Sequence, residues 1–146
     1  MIQLLCLIGV LVCLYAIYIE KNVKTPKFRA ICDINNNTSC TLVLTSKYSH
    51  MIKLLFNLND SSRLNLSNAQ YGLLFYIGLI LYQYYPFTLL PFYNFLFFCA
   101  IFSSFITCII LAYILYYKLH QLCLICVAIY IINTALFIIA VINLTL

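Results

Sequence analysis

Four cysteines stand out from a chain that offers little else for chemistry. Cys32 and Cys40 bracket "CDINNNTSC", a polar, Asn-rich stretch. Cys123 and Cys126 form a Cys-x-x-Cys pair, "CLIC", at the edge of an apolar run. On a helix, this spacing puts both thiols on one face. A helix N-terminus favours thiolate over thiol, which makes one member nucleophilic and the pair easy to oxidise and reduce. Two inert thiols are the plain alternative. A zinc site completed by Cys32 and Cys40 is another, but those two are spaced too widely for a usual structural pair. Cys32 and Cys40 lie in a loop able to bring them together, either as a structural staple or as a pair that exchanges disulfides with Cys123 and Cys126. Cys6, Cys13, Cys99 and Cys108 sit within apolar runs and read as small hydrophobes.

The rest of the composition narrows the field. There are 3 acidic residues, so carboxylate-pair chemistry has few candidates. His50 and His120 read as loop and interface residues. No glycine-rich phosphate loop or Ser-His-Asp constellation appears. The chain is 66% hydrophobic and 8% charged, against about 25% charged in ordinary soluble domains. Its 146 residues make one domain, 1–146, with too little interior to hide so much apolar side chain. A lipid bilayer is the expected solvent. The net charge of +5 does not point to nucleic acid, because the basic residues other than Lys118 (Lys21, Lys24, Lys27, Arg29, Lys47, Lys53 and Arg63) share the polar segment 20–68. A basic loop beside a membrane meets lipid headgroups.

The elements that must position the cysteines follow from hydropathy. An uncharged run from Ile2 to Ile19 would span roughly 27 Å as a helix, close to the bilayer core of about 30 Å. It reads as a transmembrane helix rather than a signal peptide, having no basic n-region and no small-residue cleavage site. Further spans are expected at about 71–87, 89–117 and 122–144. Pro86 and Pro91 bracket a tight connection, and Lys118 to Gln121 form a polar break. In the loop, Ser46 to Phe56 suits a short amphipathic helix and "NLNDSSRLNLSN" reads as turn and loop. The fold expected is therefore all-α, a polytopic bundle of four transmembrane helices.

Four spans carry a parity consequence: the fourth starts on the face that holds the large loop. Cys32, Cys40 and Cys123 then share a compartment, with Cys126 one turn deeper. The positive-inside rule would put that loop in the cytoplasm. Redox chemistry puts it instead in an oxidising compartment, which is the orientation expected. Along the fourth span Cys123, Cys126, Tyr130, Asn133 and Phe137 form one stripe. Tyr130 and Asn133 could donate to the oxygens of a flat ligand, or Asn133 could simply bond a neighbouring helix.

At "FRAICDINNNTSC", "TSKYS", "LSNAQYGLLFY" and "CLICVAIYIIN", in that order and spacing, the chain resembles the vitamin K epoxide reductase family, and "RAICD" resembles its animal members. The resemblance implies a four-helix membrane bundle with a luminal cap, in the endoplasmic reticulum membrane rather than a bacterial inner membrane. It implies reduction of vitamin K quinone or its 2,3-epoxide as a lipid-soluble substrate, with no tightly bound cofactor and no metal. By motif, Cys126 matches the thiol that attacks substrate and Cys123 its resolving partner. Cys40 matches the loop cysteine that exchanges with Cys123, and Cys32 completes the loop pair, recharged by a thioredoxin-like luminal dithiol protein. Asn68 and Tyr130 match groups that hydrogen-bond the quinone, and Phe75 matches a pocket-wall residue. Asp33 and Ser46 stand at recurrent family positions.

The chain departs from the pattern in having no tryptophan, in Leu44 where an aromatic often lines the pocket, and in showing no fused thioredoxin domain. The same parts could instead form disulfides in thioredoxin-like partners and pass electrons to a quinone. A non-enzymatic four-span protein with a stapled loop is the remaining alternative. Sequons at Asn36, Asn37, Asn59, Asn65 and Asn143 offer a test of orientation.

Overall fold

A computed structural model describes residues 1–84 and 87–146, and its regular structure among these is helical. The order is α1 (Ile2–Asn22), α2 (Cys40–Leu44), a 3-10 turn (Lys47–His50), α3 (Met51–Phe56), α4 (Asn68–Tyr82), a 3-10 turn (Phe87–Leu89), α5 (Tyr93–Ile114) running into a π turn (Leu115–Leu119), and α6 (Leu124–Thr145). Among the described residues, three helical stretches, Ile2–Asn22, Tyr93–Leu119 and Leu124–Thr145, are long and apolar enough to cross a membrane. The second expected span is shorter. Helix α4 has 15 residues, roughly 22 Å at 1.5 Å each. The end of that expected span, at Tyr85 and Pro86, lies outside the described residues.

Local chemistry sets the boundaries. Helix α4 begins at Asn68 because Ser67 and Gln70 close a capping box: Ser67 Oγ accepts from the Gln70 N–H, and Gln70 Oε1 accepts from the Ser67 N–H at 2.9 Å. Helix α5 starts after Pro91, at Tyr93. The π turn ends at His120, whose φ of 50° is left-handed and reverses the chain. Helix α6 starts at Leu124 rather than Leu122 because Leu122 is held extended against the loop, its N–H donating to the Asn37 carbonyl at 2.9 Å, and the extended Cys123 serves as the N-cap.

Small residues set the packing of α1. Its buried face is Cys6, Gly9, Cys13, Ala16 and Ile19, a narrow stripe that lets α4 approach closely. Tyr76 of α4 lies over Gly9, and Gly72 lies opposite Cys13. Helix α6 packs against both α1 and α5. Its Asn133 is buried and ties three helices: it donates to Tyr76 Oη at 2.8 Å and accepts from Ser104 Oγ at 2.8 Å. Asn133 is therefore a packing residue, with its amide used between helices. Of the cysteines read as hydrophobes, Cys6, Cys13 and Cys108 are buried, and Cys99 faces outward.

Two buried clusters result. One runs between the helices, around Tyr76, Ile101 and Leu136. The other lies where the loop meets the helix ends and contains Cys32, Cys40 and Cys123.

Candidate functional site

The loop is built around Asp33. Its carboxylate accepts from Ser39 Oγ at 2.8 Å, the Thr41 N–H at 3.1 Å, the Ala30 N–H at 3.3 Å and the Thr41 hydroxyl. Arg29 clamps the same turn from outside, donating to the carbonyls of Asp33 and Ile34. Partial burial opposes ionisation of Asp33, but the bonds from Thr41, Ser39 and Ala30 outweigh it and hold the carboxyl below its usual range. Ser39 also caps α2 through the Leu42 N–H, which sets Cys40 at the first position of that helix. Cys32 and Cys40 are joined by a disulfide, with Cα atoms 5.8 Å apart. Bonded in this way, they offer no thiolates to a metal.

Two ties dock this loop on the helices. The Ile31 N–H donates to Tyr15 Oη of α1 at 3.2 Å. Thr38 pairs with Leu122 in a parallel bridge next to the Leu122–Asn37 bond. The loop is thus stitched directly to the residue before Cys123. The juxtaposition of the two cysteine pairs rests on these bonds, independently of how many spans cross the bilayer.

Cys123 caps α6. Its sulfur accepts from the Cys126 N–H at 3.3 Å. It is completely buried, as is Cys40, in the same cluster. The side chain of Cys126 hydrogen-bonds Cys123. Despite burial, that bond and the N–H groups of Cys126 and Ile125 hold the Cys123 thiol below its usual range. The two thiols are therefore unequal: Cys123 is the one set up as a thiolate.

Cys126 opens into a cavity of about 100 Å³, also lined by Asn68, Tyr130, Ser46, Leu44 and Glu20. Leu44 and Ser46 reach it from the loop, Asn68 from α4, and Cys126 and Tyr130 from successive turns of α6. The Tyr130 hydroxyl has no hydrogen-bond partner among the described residues. The Asn68 amide is partly committed: it donates to the Tyr48 carbonyl at 2.8 Å and accepts from the Met51 N–H at 3.1 Å, which leaves one N–H spare. Phe75 lies elsewhere. It lines a neighbouring cavity of about 310 Å³, two turns further along α4, which shares Asn68 and Cys108 with the first. Glu20 had no place among the sequence-derived candidates, although an ionisable residue closing an apolar span is a visible signal.

The model of the vitamin K epoxide reductase family matches residues 1–141. The chain belongs to that family. It is 29% identical over 142 residues to vitamin K epoxide reductase complex subunit 1 of Mus musculus, covering 90% of this chain and 81% of that protein. The likeness to the protein of the same name from Rattus norvegicus has the same identity and coverage. Membership of the vitamin K epoxide reductase family supports a membrane oxidoreductase that works with thiols.

Proposed function

We propose that this chain reduces a lipid-soluble quinone, or its epoxide, of the vitamin K class with electrons drawn from soluble thiols. The observation that carries this reading is the shared burial of Cys40 and Cys123 in one cluster, with Cys126 facing the cavity that Asn68 and Tyr130 line. A partner dithiol of thioredoxin-like chemistry reduces the Cys32–Cys40 disulfide. The Cys40 thiolate attacks Cys123 of an oxidised Cys123–Cys126 pair, which forms a Cys40–Cys123 disulfide and frees Cys126. Cys32 then attacks Cys40 and expels Cys123, whose lowered affinity for a proton makes it a good leaving group. With both α6 thiols reduced, Cys126 adds to the substrate ring and Cys123 attacks the Cys126 sulfur. The disulfide re-forms and the electron pair passes to the substrate. Tyr130 and the spare N–H of Asn68 stabilise charge on the substrate oxygens.

The cavity is small beside the roughly 300–1,000 Å³ that encloses whole ligands. A flat ring fits such a space with its tail outside, in lipid. In this reading α4 also crosses the membrane, the chain resides in the endoplasmic reticulum membrane and the loop is luminal. A glycan on Asn59, which is exposed, would report that orientation.

Reductase activity in membranes is the test. Cys123→Ala or Cys126→Ala should abolish turnover with dithiothreitol. Cys32→Ala or Cys40→Ala should spare that assay and abolish turnover driven by a protein dithiol. Full activity in either α6 variant would overturn the assignment. Turnover of ubiquinone-type acceptors driven by a thioredoxin-like dithiol, with no turnover of vitamin K quinone or epoxide, would assign the chain to the disulfide-forming direction.

A further inference from the structure

Helix α1 ends its apolar run on a carboxylate. Glu20 lines the same cavity as Cys126, Asn68 and Tyr130. Its Oε1 is sealed from solvent and has no hydrogen-bond partner among the described residues. The same holds for Nδ1 of His50, in the 3-10 turn of the loop. The polar groups that act on the Glu20 carboxyl are the Ser67 hydroxyl and His50. More than nine in ten buried polar groups in folded proteins find a partner. A carboxylate oxygen left open at the wall of the cavity, with the open ring nitrogen of His50 on a residue near enough to act on it electrostatically, therefore asks for a function.

The reaction proposed above defines one. Two thiols reducing a quinone give up two electrons and two protons, and the hydroquinone takes up both of each. The Cys126 N–H, aimed at the Cys123 sulfur, favours the thiolate there, and a sulfur that attacks as thiolate brings no proton to the quinone. The dithiol then brings one proton where two are needed. The remaining titratable groups facing the cavity are Cys108, Cys126, Tyr48 and Tyr130, and no lysine or arginine is among its lining residues. A phenol ionises near pH 10 and a thiol near 8.5, so both part with a proton reluctantly at neutral pH. Among the described residues lining the cavity, Glu20 is the one carboxyl.

We propose that Glu20 donates a proton to the bound quinone oxygen, ending as a carboxylate, and that His50 re-protonates it with a proton taken from water at the loop surface. The electrons come from the Cys123–Cys126 thiols and the second proton from Cys126, so atoms and charge balance. The inference rests on the proposed quinone reduction and goes beyond it in naming the route of the proton.

The experiment uses the full chain in membranes, dithiothreitol as reductant and a short-tailed naphthoquinone as probe, with kcat and KM measured from pH 6 to 9. Glu20→Gln should lower kcat about a hundredfold or more, within the range for loss of a general acid, while KM moves little. Its kcat should also lose the fall that the wild type shows as pH rises and the donor deprotonates. Glu20→Asp should recover part of the rate. His50→Gln should slow repeated turnover and spare a single turnover, because it removes only the recharging step. Wild-type kcat and an unchanged pH profile in Glu20→Gln would overturn the inference. Should that variant fail to accumulate, equal slowing of single and repeated turnover in His50→Gln, or no slowing of either, would overturn it instead. Activity surviving in Cys126→Ala is the separate result that would remove the underlying reading.

Discussion

The backbone N–H of Cys126 points at the sulfur of Cys123 across 3.3 Å, which makes a symmetric-looking Cys-x-x-Cys pair chemically unequal. The Cys126 side chain adds a second bond to the same sulfur. In the reduced protein, Cys123 should therefore ionise below the ordinary thiol value of about 8.5. Cys126→Ala removes the side-chain donor and should move that midpoint upward. Alkylation rates against pH, resolved by mass spectrometry of the Cys123 peptide, check both statements. A midpoint unmoved by Cys126→Ala would show that the backbone N–H groups alone set it.

Asp33 is the acceptor on which the loop closes, taking bonds from Ser39, Thr41 and Ala30. Asp33→Asn keeps one acceptor oxygen and turns the other toward donors it cannot accept from. Bonds to a charged group contribute about 1.5–3 kcal/mol each, so the loop should loosen by an amount of that order. Limited proteolysis between Lys24 and Lys47 reads the change. The pH dependence follows in sign. The folded carboxyl is held below its usual range, so its contribution is complete above the unfolded value of about 3.9 and disappears as pH falls through the lower folded value. Protection in the wild type should hold at pH 5 and fail only in stronger acid.

How far the molecule is legible in its sequence depends on the scale of the signal. Long apolar runs gave α1, α5 and α6 within a few residues, because hydropathy integrates over many positions. The start of α4 at Asn68 rather than Tyr71 comes from the Ser67–Gln70 capping box, a local signal hidden in a stretch rich in turn formers. The division of labour between Asn68 and Asn133 was legible only through the family motif that singles out Asn68, since by chemistry both are amides on apolar helices. Asn133 is consumed by Tyr76 and Ser104, and Asn68 faces the cavity with one N–H free. Phe75 falls on the neighbouring cavity because, seven residues along α4, it sits roughly 10 Å deeper than Asn68. Glu20 escaped because only the rotation of the last turn of α1 decides that it faces Cys126 and not the solvent.

Asn68 has two roles that a pair of substitutions should separate. Its side chain bridges the Tyr48 carbonyl and the Met51 N–H, which pins the 3-10 turn and the start of α3 over the cavity. Asn68→Ala should cost about 1–3 kcal/mol in stability, leave both backbone groups unpaired, and raise KM together with a fall in kcat. Asn68→Asp keeps the acceptor for Met51 and loses both donors. It should restore part of the thermal stability without restoring kcat, and parallel recovery of both would limit Asn68 to holding the loop.

The contact between α1 and α4 offers the sharpest test of the packing. A Cβ placed on Gly9 would lie 2.6–2.8 Å from three ring carbons of Tyr76. That ring cannot swing aside cheaply, because it is 1% exposed and its hydroxyl accepts from the Asn133 amide, itself tied to Ser104 of α5. Gly9→Ala should therefore destabilise the bundle by about 1–3 kcal/mol, the usual cost of overpacking. Gly78→Ala, where an added methyl meets nothing within 4 Å, should be neutral or slightly stabilising through helix propensity. Thermal unfolding in detergent compares the two. A second substitution, Tyr76→Leu, should relieve part of the Gly9→Ala penalty while leaving Asn133 short of a partner, so the double variant should recover incompletely. Equal melting temperatures for Gly9→Ala and Gly78→Ala would mean that α1 and α4 do not meet as closely as this geometry requires.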